Sequence, residues 1–123
     1  MARDATRDDP PFRTLVAEVA VDGSTTLVGY AVYFFTYSTF LAQPTLYLED
    51  IFVDPDHRGR GAGRALFAAC AREAAARECG RMEWQVLDWN EPAIAFYKRS
   101  GARVHPEWRL CRLTGDELAA AGA

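Results

Sequence analysis

The sequence predicts an α/β (α+β) fold, a mixed and mostly antiparallel sheet with helices on both faces, and three observations carry that expectation. Between Arg13 and Val53 three runs rich in Val, Tyr, Phe and Leu are separated only by turn signals, the pattern of a meander. From about Gly61 to Cys79 the apolar residues recur at helical spacing, and a further strand-like run, Met82 to Trp89, follows. Strand, helix and strand in that order imply a parallel pair joined by a right-handed crossover.

Met1 to Pro11 is polar and charged and ends in Pro10-Pro11, so it reads as a disordered or extended lead-in to one domain over residues 12–123. Arg13 to Val21 sets Leu15, Ala17, Val19 and Val21 against Val16, Glu18 and Ala20, and Asp22-Gly23 supplies a hairpin turn. Thr26 to Tyr37 is apolar on both faces, which marks an interior strand covered on two sides. Ser38 to Pro44 forms the next loop, with Phe40 at its tip, and Thr45 to Val53 completes the meander. The helix that follows should turn Leu66, Phe67, Cys70, Ala71 and Ala74 to the sheet, with Arg64, Arg72 and Glu78 outward and Gly80 as its stop.

After Met82 to Trp89, Asn90 caps a second helix with Pro92 in its first turn, Lys98 and Arg99 in its last and Gly101 beyond it. Val104 to Leu113 reads as a closing hairpin turning near His105-Pro106. Thr114 to Glu117 has the spacing of a capping box for a terminal helix over Glu117 to Ala121.

Composition excludes several classes of function. A net charge of −3 and a pI near 5.3 are not those of a nucleic-acid binder, and the basic residues Arg58, Arg60 and Arg64 form only a local cluster. The three cysteines show no metal-ligand spacing and read as reduced core thiols; His57 and His105 stand alone, so no metal site is expected. No apolar run reaches membrane-spanning length and no signal-peptide pattern is present, so the expectation is a cytoplasmic protein with no membrane partner.

The chemistry concentrates in Leu46 to Gly63. Glu49 and Asp50 put two carboxylates into an otherwise apolar strand, which is costly unless they are paired, hydrated or used. After Pro55, Arg58-x-x-Gly61-x-Gly63 runs into a helix start, where backbone N–H groups and the helix dipole favour an anion. The other reading of this loop is a tight turn that merely needs glycine. It lacks the Gly-Lys-Ser/Thr ending of a nucleotide triphosphate loop.

Val53-x-Pro55-x-x-Arg58-Gly59-x-Gly61-x-Gly63 resembles the acetyl-CoA signature of the GNAT superfamily of N-acetyltransferases. Asn90 to Tyr97, continuing through Lys98-Arg99-x-Gly101-Ala102, resembles that superfamily's downstream helix motif. Tyr47-Leu48-Glu49-Asp50 and Asp88-Trp89-Asn90-Glu91-Pro92 are most similar to the diamine (spermidine/spermine) and thialysine acetyltransferase branch. The resemblance spans Phe12 to Leu118.

It implies an enzyme that transfers acetyl from acetyl-CoA directly to a primary amine of a small molecule, a polyamine or a lysine-like amino acid. The backbone of Ile51, Phe52 and Val53 would pair with the pantetheine arm as an added strand. The segment Arg58, Gly59, Arg60, Gly61, Ala62, Gly63 and Arg64 would hold the pyrophosphate, with Asn90, Ala93, Phe96 and Tyr97 on the coenzyme's other side. Glu49 matches the acid that binds the amine and relays its proton, with Trp89 and Glu107 as further substrate contacts. A substrate ammonium with a pKa near ~10.4 must lose a proton, a penalty of roughly 4.6 kcal/mol at pH 7, so a base is needed. Tyr97 would protonate the leaving thiolate or hydrogen-bond to it; by helical spacing alone it reads as a core residue. Asp50 reads as structural, and Lys98 and Arg99 either touch the 3′-phosphate or stabilise a helix end.

The family usually begins with another strand and two helices that have no counterpart in residues 1–123. The edge at Arg13 to Val21 would then be exposed, and a homodimer is expected to cover it. Two alternatives accompany this reading: a coenzyme-A-binding module without turnover, and an acetyltransferase of protein lysines or N-termini.

Overall fold

The computed structural model describes residues 6–123, so residues 1–5 of the expected lead-in lie outside the described residues. The chain divides into two compact units, one running through Gln85 and the other from Val86 to Ala123.

The first unit holds a sheet in the order β1-β2-β3-β4, formed by β1 (Arg13–Val21), β2 (Ser24–Ser38), β3 (Gln43–Val53) and β4 (Arg81–Glu83). The first three strands are antiparallel, and β4 pairs parallel to β3. Asp22 (φ 49°) and Gly23 (φ 78°) both lie in the left-handed region, as a two-residue hairpin between paired Val21 and Ser24 requires. Phe40 stands at the tip of the next loop, 93% exposed.

Two β-bulges shape the meander. On β2 the register steps from Ala17↔Gly29 to Glu18↔Leu27, leaving Val28 as the extra residue, and its carbonyl accepts the N–H of Asp54 at 2.7 Å. The start of the functional loop is thereby tied to the sheet. On β3 the register steps from Tyr33↔Leu48 to Val32↔Asp50, leaving Glu49 without a partner. Side chains alternate along a strand, so one extra residue reverses which parity faces inward. Leu46 and Leu48 are buried before the bulge, and Ile51 and Val53 pack on the same core after it. Were the same residues to run as a regular strand with Glu49 paired, Asp50 and Phe52 would face the core instead of Ile51 and Val53.

Helix α1 (Ala62–Ala76) covers that core face. Leu66, Cys70 and Ala74, spaced by four, are its buried residues, and they join Ala31, Tyr33, Leu46 and Leu48 in one cluster. The apolar stripe is narrower than expected: Ala71 is exposed. Phe67 meets Trp84 edge to face at 5.2 Å. Burial, and secondarily Glu73, pushes the Cys70 thiol up to about 11.

The helix ends earlier than its predicted limit at Cys79, and Gly80 is not its stop. Glu78, at φ 57°, takes the left-handed position; its N–H reaches Ala75 O and that of Cys79 reaches Ala74 O, the two bonds of a Schellman motif. Cys79 therefore lies beyond the helix. Gly80 links it to β4, donating to Pro44 O at 2.9 Å where a side chain would crowd Gln43.

The expected strand Met82 to Trp89 shrinks to Arg81–Glu83. Its three pairs end at Tyr47↔Glu83, just before the Glu49 bulge, and the added twist of a bulge carries β3 away from a parallel neighbour. Leu87, Asp88 and Trp89 turn instead, closed by Asn90 N–H to Leu87 O.

In the second unit, α2 (Glu91–Arg99) has the predicted punctuation. Asn90 accepts from Ala93 N–H at 3.3 Å, and Gly101 (φ 97°) and Ala102 donate to Lys98 O and Tyr97 O in a second Schellman motif. The expected hairpin over Val104 to Leu113 is absent: Pro106 has no N–H to give a ladder, Trp108 N–H closes a turn on His105 O, and the described residues of this unit contain no strand to pair with. The terminal helix α3 (Gly115–Ala121) starts two residues early, and Thr114 caps it without a side-chain hydrogen bond, so no capping box forms.

The two helix ends give a matched prediction. Glu78→Gly removes a left-handed non-glycine residue and should stabilise by about 1 kcal/mol, raising Tm by about 4 °C, whereas Gly101→Ala should cost about as much. Thermal melts check both. For Cys70 the sign runs with a raised acid: the folded state holds the proton more tightly, so stability falls as pH climbs from the usual thiol range through about 11. Denaturant midpoints against pH should decline over that window, and the decline should be shallower in Cys70→Ala, the raised Cys79 and tyrosines accounting for what remains.

Candidate active site

The loop between β3 and α1 is held by two side-chain hydrogen bonds. Asp54 Oδ1 accepts from Asp56 N–H at 2.9 Å and starts a single 3₁₀ turn over Pro55–His57. Arg58 Nε donates to Val53 O at 3.0 Å, folding the loop back on the end of β3. Gly59 (φ 79°) and Gly61 (φ 88°) then take left-handed backbone, and a Cβ on either would meet open space, so conformation alone demands glycine there. Gly61 also caps α1 with no side chain and no acidic residue in the first turn. The helix dipole is therefore uncompensated at that end, and Arg58, Arg60 and Arg64 stand exposed around it. Such a loop offers backbone N–H groups and positive charge of the kind an anion is held by.

Beyond Tyr47↔Glu83 no strand of the described residues pairs with the outer edge of β3 from Leu48 to Val53, the kind of edge that an extended ligand can join. That edge runs directly into the loop. An extended arm ending in a pyrophosphate fits the pair, which makes coenzyme A compatible with Ile51, Phe52, Val53 and Arg58 to Arg64. A cleft of about 410 Å³ lies between β1 and the first turns of α1, with Arg60, Gly61 and Ala62 of the loop in its wall and His57 Nδ1 buried beside it without a hydrogen-bond partner.

Glu49 and Asp50 are not buried, as their apolar context suggested; both are exposed. The bulge is the reason, since consecutive residues of a regular strand would point to opposite faces. The Tyr30 hydroxyl donates to Asp50 Oδ2 at 3.0 Å, and this bond and the carboxylate charge raise the Tyr30 pKa. Tyr47 is also raised, by burial first and then by the charges of Glu49 and Glu83. Aromatic pairs flank the acids: Phe34 with Tyr47 at 5.2 Å, and Tyr30 with Phe52 at 5.6 Å. The Arg58 guanidinium lies 6.0 Å over the Phe52 ring.

The remaining predicted site residues belong to the second unit. Asn90 and Ala93 meet in the cap of α2; Tyr97 is its buried residue, with its ring edge to face with Phe96 at 5.4 Å. Lys98 and Arg99 are exposed in its last turn. Trp89 is 71% exposed in a turn rather than at a strand end. Glu107 pairs with His105 at 3.2 Å, and its pKa is lowered by its own backbone N–H and by that imidazole.

The family model described as "Acetyltransferase (GNAT) family" matches residues 2–102. The chain belongs to the acetyltransferase (GNAT) family. It is 48% identical over 94 residues to an L-ornithine N5-acetyltransferase of Arabidopsis thaliana, covering 76% of this chain and 41% of that protein. To the thialysine N-epsilon-acetyltransferase of Sus scrofa it is 36% identical over 118 residues, covering 90% of this chain and 69% of the relative. The chain thus spans about two fifths of one relative and about two thirds of the other. Among solved structures, an integron cassette protein from the mobile metagenome of Vibrio cholerae superposes with a TM-score of 0.80 at 25% identity, over 94% of this chain and 68% of the other.

Two features of this GNAT chain escaped the motif reading. One is Tyr30, twenty residues from the carboxylate it meets, with no local signal. The other is the bulge, which was legible: the apolar spacing Leu46-x-Leu48-x-x-Ile51-x-Val53 slips by one residue at Glu49.

The loop geometry makes its own prediction. Gly61→Val forces a β-branched residue to φ 88° at a strain of about 1–2 kcal/mol or more. Tm should fall, and calorimetric affinity for coenzyme A should weaken by at least about tenfold as the amide cradle opens. An unaltered affinity would remove the loop from the site.

Proposed function

We propose that the chain is an acetyl-CoA-dependent N-acetyltransferase acting on a primary amine of a small molecule, a polyamine or a lysine-like amino acid. One arrangement carries the reading: a free strand edge, Leu48 to Val53, leads from an exposed acid on a bulge, Glu49, straight into a glycine-built anion loop. The relatives named for ornithine and thialysine, both amino acids with a side-chain amine, favour the lysine-like acceptor.

Acetyl-CoA supplies the activated acetyl thioester. Ile51, Phe52 and Val53 hold its arm by backbone hydrogen bonds, and the amides and arginines of Arg58 to Arg64 hold its pyrophosphate. Glu49 faces the acceptor ammonium and takes its proton, directly or through water. Tyr97 is the hydroxyl donor toward the departing thiolate, with Asn90, Ala93 and Phe96 shaping its helix. Trp89 and Glu107 complete the acceptor contacts. No covalent enzyme intermediate is needed: Cys70 is buried with a raised pKa and is a poor nucleophile. A homodimer covers the β1 edge, where Val16 and Val21 are more than half exposed. The cytoplasm is the proposed compartment.

Thiol release from acetyl-CoA with ornithine, thialysine, spermidine and a lysine peptide tests the proposal. Release with a small amine and none with the peptide is expected. Coenzyme binding without release from any amine would contradict the enzyme and support a binding module. Glu49→Gln should lower kcat/KM for the amine by about 10²-fold or more and flatten the acid limb of its pH profile, while Tyr97→Phe should lower kcat and leave KM for acetyl-CoA nearly unchanged.

A further inference from the structure

Tyr30 and Asp50 stand outside the roles given above. Tyr30 lies on β2 opposite Phe52, and Asp50 lies on β3 opposite Val32, so the two are diagonal neighbours just past the bulge. Their hydrogen bond, at 3.0 Å, crosses an exposed part of the sheet. An exposed bond of this kind adds little to stability, so its effect is sought in position. The bulge residue Glu49 has no cross-strand partner. Upstream it is anchored by buried Leu48, paired with Tyr33; downstream, Asp50 is the residue that re-enters the ladder. Whatever fixes Asp50 fixes the second end of the bulge. Tyr30 is itself braced, its ring against Phe52 and the Phe52 ring beneath the Arg58 guanidinium.

We propose that Tyr30 is a positioning residue that sets the direction of Glu49 by holding Asp50, and that Asp50 serves there as a hydrogen-bond acceptor rather than as a charge. The proposal rests on the reading of Glu49 as the carboxylate that meets the amine. The raised pKa of Tyr30 agrees with it, because the phenol keeps its proton, and so remains a donor, through neutral and mildly alkaline pH. The consequence is specific. Asparagine keeps an acceptor oxygen in place of Asp50 and loses only the charge, whereas alanine loses both.

The test runs thiol release beside calorimetric titration of the coenzyme-A-loaded protein, with ornithine, thialysine and spermidine as probes. Tyr30→Phe and Asp50→Ala should each lower kcat/KM for the best amine by about tenfold, the double variant should be no worse, and KM for acetyl-CoA should not move. Asp50→Asn should recover most of what Asp50→Ala loses. If Asp50→Asn is as damaged as Asp50→Ala, Asp50 acts by charge and the proposal fails; it also fails if Tyr30→Phe matches the parent. A parent that binds an amine without releasing thiol removes the enzymatic reading, and the same variant pattern in affinity then decides the proposal. A parent that neither binds nor acetylates any of the amines overturns both.

Discussion

One extra residue in β3 is the constraint on which the rest depends. The strand must bury Leu46 and Leu48 at one end and Ile51 and Val53 at the other, against a single helix, and these positions differ in parity. Only an unpaired residue between them reconciles the two ends, and that residue is Glu49. The same irregularity leaves two consecutive carboxylates exposed, and it lies where the β3–β4 ladder stops. Core packing, an acid in water and an open strand edge are thus three consequences of one insertion. A regular β3 would present fewer carboxylates to solvent and a longer ladder to β4.

The anion loop depends on that strand from its other end. Asp54 is tied to the bulged Val28 of β2, and Arg58 to the last carbonyl of β3, so the loop cannot drift from the edge it continues. Glycine at two left-handed positions then lets the backbone turn directly into α1, whose dipole points back along the loop. Each of these bonds is worth little alone, but together they fix the amides before a ligand arrives, which lowers the cost of binding.

Much of this was legible because it is local. The hairpin at Asp22-Gly23, the loop start at Pro55 and the caps at Asn90 and Gly101 each require one residue type at one position, and the structure uses them as read. What failed depends on distant partners. Met82 to Trp89 has strand composition, but its pairing is set by the twist of β3 past Glu49, so only Arg81–Glu83 joins the sheet. Val104 to Leu113 alternates in the same way and finds no strand in its own unit. The stop at Glu78 was hidden by Gly80, a more usual choice two residues on. The exposure of Glu49 and Asp50 could have been taken from the slipped apolar spacing; Tyr30, lying diagonally across the ladder, could not.

Deleting Glu49 tests the central claim most directly. Every observed β2–β3 pair survives the deletion on paper, with Tyr33↔Leu48 followed at once by Val32↔Asp50, so the ladder should close into a regular one. The account predicts a folded protein with a Tm no lower than the parent's, weaker coenzyme A affinity because the regular strand lengthens its ladder to β4 over the edge that takes the arm, and no thiol release with any amine that the parent acetylates. A deletion variant that unfolds would show that the bulge is required by the core rather than superimposed on it, and one that still turns over would contradict the placement of the reaction at Glu49.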